Sequence, residues 1–196
     1  MLMVKVRYAN MLSTSKTQAH SLMQSGFKWL WITLLFFIVD QYTKQLIVEN
    51  FTEREVLEIF PMFNLTLAYN RGAAFSFLAN QDGWQVLFFT TISSVVSVIL
   101  LWWLYTLNAK KDWWLSISLS LILSGAIGNL YDRITLEKVV DFIDFYYASH
   151  HFPAFNVADS VIFLGAAMMI YDSFVLEPKK LKKEKLTENK NSVEHR

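Results

Sequence analysis

The chain contains no cysteine, which excludes a disulfide framework, a thiolate metal site and a cysteine nucleophile. Histidine is scarce: His20 and His195 lie in polar ends, and the neighbours His150 and His151 point apart on most backbones. Neither a multi-histidine metal centre nor any other cofactor is therefore expected. Charge is thin as well. Charged residues make up 18% of the chain, against roughly a quarter in ordinary soluble domains, and a net charge of +1 gives no reason to expect nucleic acid. Apolar side chains take their place, at 54% hydrophobic and 16% aromatic over 196 residues, gathered into long runs. That composition belongs to a small polytopic membrane protein.

A helix needs about 20 mostly apolar residues to cross a bilayer. Four stretches qualify, at about 29–48, 84–107, 113–131 and 157–176. Backbone groups in lipid must be satisfied within the segment, so helices are expected. Lysine and arginine are retained on the cytoplasmic side of a membrane. Residues 1–28 hold Lys5, Arg7, Lys16 and Lys28 with no acid; Lys110 and Lys111 mark the middle loop, and the tail holds Lys179, Lys180, Lys182, Lys183 and Lys185. The loops at 49–82 and 132–156 are acidic. Both termini are thus expected inside and those two loops outside, with all seven tryptophans near span ends.

The expected fold is an all-α membrane protein of four transmembrane helices, with a small extracytoplasmic β-rich platform and an interfacial aromatic segment. Residues 1–26 read as a polar cytoplasmic arm, 27–176 as the membrane domain and 177–196 as a basic tail that can touch anionic lipid. In the outer loop at about 49–82, residues 55–70 alternate between apolar and polar, and Pro61 divides them into two strands. The other outer loop, about 134–156, is rich in phenylalanine and tyrosine and suits the headgroup layer.

Ionisable groups at membrane depth are costly unless they face a protein interior or a wet cavity. Here they gather at one end: Asp40 and Lys44 in the outer half of the first span, Asn129, Asp132 and Arg133 at the end of the third, Asn156 and Asp159 at the start of the fourth, and Asp141 between. Taken singly, each has a structural explanation. Asp40 and Lys44, four apart, suit an ion pair; Asn129 suits interhelical bonding beside Gly125 and Gly128; Asp132 and Arg133 suit an end-of-helix pair; Asp172, near the inner end, suits solvent. Asp141 and Asp159 stand out because neither has a dedicated basic partner nearby in the sequence. Two carboxylates brought close hold one proton between them, which supplies a base to activate water and an acid to protonate a carbonyl. Sequence alone does not bring them together.

Five spaced motifs occur in order: Asp40-Gln41-Tyr42-Thr43-Lys44; Asn64 through Asn70-Arg71-Gly72-Ala73-Ala74-Phe75; Gly128-Asn129-Leu130-Tyr131-Asp132-Arg133; Val139-Val140-Asp141-Phe142; and Phe155-Asn156-Val157-Ala158-Asp159-Ser160. With these the chain resembles the bacterial lipoprotein signal peptidases (signal peptidase II) over roughly residues 27–176. The resemblance implies an aspartyl endopeptidase of the inner membrane, multi-pass, active at the periplasmic face. It would cut prolipoproteins before a cysteine already bearing diacylglyceryl. It places the catalytic aspartates at Asp141 and Asp159, and substrate-binding or supporting roles at Asp40, Lys44, Asn70, Gly72, Asn129, Arg133 and Asn156. The expected partners are the lipid-modified precursors and membrane lipids, and the expected state is a monomer. Two rivals from other classes are a proton-coupled transporter, which predicts carboxylates spread through the membrane depth and an internal repeat, and a scaffold, which predicts that the outer acids tolerate exchange.

Overall fold

The computed structural model describes residues 24–72 and 84–182 together with Leu22 and Leu186. Most of the arm at 1–26, the end of the basic tail and Ala73 to Phe75 of the second motif lie outside the described residues. A single 3-10 turn at Gly26–Trp29 opens the fold, and the Ser25 hydroxyl accepts the Phe27 N–H to cap it. Helix α1 (Leu30–Asn50) follows, then strands β1 (Val56–Phe60) and β2 (Phe63–Asn70), helices α2 (Trp84–Thr106) and α3 (Trp113–Leu136), strands β3 (Val139–Tyr147) and β4 (His150–His151), and helix α4 (Val157–Tyr171). Helix α4 runs on through a π-helical turn at Asp172–Leu176.

Among the described residues, three helices are long and apolar enough to cross a membrane: Trp84–Thr106, Trp113–Leu136 and Val157–Lys182. Helix α1 has 21 residues, enough for the distance, but Asp40, Gln41, Lys44 and Gln45 dilute its apolar content. Helix α3 is the axle of the bundle. Buried residues occupy 67% of its apolar window, against 11% for α2 and 17% for α4. Leu100, Leu104 and Leu107 pack on Leu115, Leu119 and Leu123 between α2 and α3.

Small residues let the backbones of α3 approach its neighbours, as membrane helices require. The Thr33 hydroxyl of α1 donates to the Ser120 carbonyl at 2.9 Å, and the Ser124 hydroxyl of α3 returns a bond to the Thr33 carbonyl at 3.0 Å. Gly125 and Gly165 sit where α3 meets α4. A methyl on Gly125 would overlap the Ala158 carbonyl oxygen and lie 2.5 Å from Ile162 Cγ1. Gly125→Ala is accordingly expected to cost about 1–3 kcal/mol, read as a lowered unfolding midpoint in detergent; an unchanged midpoint would contradict this packing.

At one end of the bundle the strands form a single antiparallel sheet in the order β1-β2-β3-β4. The hairpin turns at Pro61-Met62, with Met62 at φ 75°, so the expected two-strand reading of 55–70 matches the structure. Within the aromatic loop expected at 134–156, residues 139–147 form strand β3, paired with β2 along Phe63 to Asn70. Alternation in Val-Val-Asp-Phe-Ile-Asp-Phe-Tyr-Tyr carries the strand, although the aromatic content suggested a surface segment. Glu137, in the left-handed conformation at φ 58°, stops α3 and turns the chain into β3. Val140 and Phe142 face inward onto Ile47 and Leu67, which seats the sheet on the helix ends.

Candidate active site

Where sheet and bundle meet, α1 presents Asp40, Gln41 and Lys44, the end of β2 presents Asn70, α3 presents Asn129, Asp132 and Arg133, β3 presents Asp141, and Asn156 caps α4 with Asp159 in its first turn. The lowest layer is ionic. Lys44 Nζ lies 2.9 Å from Asp40 Oδ2 and 2.9 Å from Asp132 Oδ2, and it donates to Asn129 Oδ1 at 3.1 Å. An ammonium has three protons, so these contacts use all of them. Asp40 Oδ1 accepts the Ala158 N–H at 2.8 Å, at the α4 N-terminus where a carboxylate is favoured. Asp132 Oδ2 also accepts the Val140 N–H at 3.1 Å, which anchors β3 one residue before Asp141. The expected Asp40–Lys44 pair is present, whereas Asp132 turns to Lys44 and not to Arg133. Adjacent residues on a helix point about 100° apart, so Asp132 and Arg133 face different neighbours.

Above this layer, three asparagine amides aim their N–H ends at two carboxylates. Each amide has one acceptor end and one donor end, and in each an obligate donor holds the acceptor. Asn129 Oδ1 accepts from Lys44 and from Asn156 Nδ2, which leaves its Nδ2 to donate to Asp159 Oδ1 at 2.7 Å. Asn156 Oδ1 accepts the Asp159 N–H at 2.9 Å in a capping box, which turns its Nδ2 to Asp141 Oδ1 at 2.7 Å. Asn70 Oδ1 accepts the Gly72 N–H at 2.8 Å, and its Nδ2 reaches Asp141 Oδ2 at 3.1 Å. Gly72 stands at φ 113°, and a Cβ there would meet the Phe89 ring at 2.7 Å, so only glycine fits. Asp141 and Asp159 are thus joined through the fully buried Asn156.

Neither Asp141 nor Asp159 has an ion-pair partner among the described residues. Burial, followed by the charge of Asp159, pushes the Asp141 carboxyl up to about 7, while the hydrogen bonds from Asn70 and Asn156 pull the other way. Arg133 lies within electrostatic reach of both carboxylates without contacting either; it stands 5.4 Å over the Phe89 ring and donates from Nη1 to the Asn129 carbonyl. All nine residues singled out from the sequence gather in this region. Gln41 was not among them: its Nε2 donates to Asp132 Oδ1 at 2.9 Å and to Asp40 Oδ2 at 3.1 Å. Its place one residue after Asp40, inside the first motif, is the signal the sequence carries for it. Asp172 is a correction. Expected in solvent, it is 2% exposed, and its Oδ1 has no hydrogen-bond partner among the described residues; it follows directly on α4 and stays on the packed side of the helix.

The profile of the family described as Signal peptidase (SPase) II matches residues 32–175. The chain belongs to the signal peptidase II family. It is 46% identical over 151 residues to a lipoprotein signal peptidase of Alteromonas mediterranea, covering 77% of this chain and 82% of that one. Against a lipoprotein signal peptidase of Vibrio cholerae serotype O1 the identity is 47% over 156 residues, covering 79% and 91%. A bacterial membrane enzyme solved by the in meso method at 1.9 Å superposes with a TM-score of 0.67 at 28% identity, over 79% of this chain and 99% of that one. A second, solved at 2.3 Å, gives 0.66 at 29% identity, over 77% and 93%. As a signal peptidase II, the chain is a membrane-embedded protease of the aspartic type. The transporter and scaffold readings are set aside by this membership.

Proposed function

We propose that this chain removes the signal peptide from lipoprotein precursors, cutting before a cysteine that carries diacylglyceryl, with Asp141 and Asp159 as the catalytic pair. The observation that carries the proposal is the pair itself: two carboxylates joined through Asn156, each receiving amide N–H bonds and neither neutralised by a cation. Asp141 holds the shared proton and Asp159 is the base. Asp159 takes a proton from water as its oxygen attacks the scissile carbonyl carbon, and Asp141 gives its proton to the carbonyl oxygen. On collapse the C–N bond breaks, Asp159 passes its proton to the leaving amine, and Asp141 recovers one from the diol hydroxyl. Asn129, Asn156 and Asn70 orient the pair; Arg133 stabilises charge developing beside it; Asp40 and Lys44 hold the framework; the Gly72 N–H fixes the Asn70 amide.

The same reading makes α1 a fourth span of a peptidase domain at 27–176, working as a monomer in the inner membrane. Leu34, Leu35 and Ile38 are half exposed along it while Asp40 and Lys44 are buried, as suits a helix with lipid on one side and the site on the other. Loop charge supports both termini in the cytoplasm and the site at the periplasmic face, where a signal helix leaves the bilayer.

The pH profile of precursor cleavage tests the assignment of roles. Raising the pH through about 7 removes the Asp141 proton and with it the acid, so kcat/KM is expected to fall. A hydrogen bond donated to a carboxylate favours its charged form, so Asn70→Ala raises the Asp141 value further. The alkaline limb should then move up by about half to one pH unit. A limb that stays in place or moves down would contradict Asp141 as the acid.

A further inference from the structure

We propose that the groove between the start of α2 and the end of α3 holds the phosphate headgroup of an anionic phospholipid. The groove is a cavity of about 470 Å³ whose walls include Arg71, Arg133 and Lys138, with Glu137 the one acid among the described lining residues and Leu87 and Ile134 among its apolar surfaces. Among the described residues none of the three cations forms an ion pair. Aromatic rings hold two of them instead: Lys138 Nζ stands 3.3 Å from the centroid of Tyr69, and Arg133 stands 5.4 Å over Phe89. A ring face positions a cation without cancelling its charge. Arg133 is one of the residues lining the groove, and its buried Nε has no hydrogen-bond partner, so the protein's own acceptors do not satisfy the whole guanidinium.

Depth and charge agree with this occupant. Leu87 lies in the first turn of α2 and Ile134 in the last turn of α3, so the cations sit where membrane helices meet the headgroup layer, and the apolar walls continue toward the acyl chains. Neither Asp141 nor Asp159 lines the groove; Arg133 is its border with the carboxylate pair. Among the described lining residues three cations stand against one acid, which favours a headgroup with net negative charge over one that carries its own ammonium. The inference goes beyond the proposed cleavage chemistry and needs only that this end of the bundle meets a lipid leaflet.

The test uses the purified full-length protein in detergent, offered phosphatidylglycerol and phosphatidylcholine of matched chain length and examined by native mass spectrometry. The wild-type protein is expected to retain phosphatidylglycerol in preference by about tenfold, and the double variant Arg71→Gln, Lys138→Gln to lose that preference. Lys110→Gln with Lys111→Gln, at the opposite end of α2, should leave it intact. No preference in the wild type, an unchanged preference in the groove variant, or its loss in the Lys110 and Lys111 variant would each overturn the assignment. Retention of inorganic phosphate by lipid-free protein, dependent on Arg71 and Lys138, would assign the groove to a soluble anion and overturn it too.

Discussion

Asp141→Asn and Asp159→Asn are each expected to lower kcat for a lipid-modified precursor peptide by about a thousandfold or more. Asparagine keeps the shape of the side chain and one acceptor oxygen but can neither bind nor release a proton at these pH values. In the first variant no acid remains to protonate the carbonyl oxygen; in the second no base remains to take the proton of water. The two groups act on one proton, so the double variant should be little worse than either single one. Folding should survive both changes. Asp141 accepts from Asn156 and Asn70, and Asp159 from Asn129 and the Asn156 backbone, and an asparagine oxygen keeps part of each set. The measurement is single-turnover cleavage beside an unfolding midpoint. A well-folded variant retaining more than about a tenth of wild-type kcat would remove that residue from the reaction.

Lys44→Met carries the largest expected effect on stability. Lys44 is 3% exposed and lies between two buried carboxylates, Asp40 and Asp132, at 2.9 Å from each. Methionine fills similar volume but leaves both acids facing each other without a cation, and breaking a buried pair from one side costs about 3–5 kcal/mol. The loss has structural reach. Asp40 caps α4 through Ala158, and Asp132 anchors β3 through Val140. Without Lys44 the Asn129 oxygen also loses its charged donor and keeps only the Asn156 amide. A strongly lowered unfolding midpoint is therefore expected, and adding Asp132→Asn should recover part of it by removing one of the stranded charges. Stability equal to wild type in Lys44→Met would show that the triad does not hold the site together.

The carboxylate site was legible because membrane depth makes polar residues expensive: Asp40, Lys44, Asn129, Arg133, Asn156 and Asp159 were conspicuous at one end of otherwise apolar segments. Asp141 lies outside those segments and stands out by its lack of a dedicated basic partner, whereas Asn70 is legible only through its motif. The identity of partners was harder to read. Asp132 was assigned to its neighbour Arg133, and only the packing of α1 on α3 shows that Lys44 takes it. Nor does sequence show that three amides are turned by Lys44, Gly72 and the α4 backbone, since that depends on contacts across up to 85 positions. Strand β3 was hidden by its own aromatic side chains. Asp172 reads as solvated from its place near the inner end of a span, and only the packing of the bundle shows it buried.

Shared possession of one proton by Asp141 and Asp159 is tested most directly by infrared titration of the purified enzyme between about pH 5 and 9. A protonated carboxyl band should vanish with a midpoint near the Asp141 value of about 7. That band should be missing in Asp141→Asn. In Asp159→Asn it should titrate at lower pH, because the neighbouring charge that raises Asp141 is gone. A band with the same midpoint in Asp159→Asn, or one that persists in Asp141→Asn, would contradict a carboxyl pair sharing a proton.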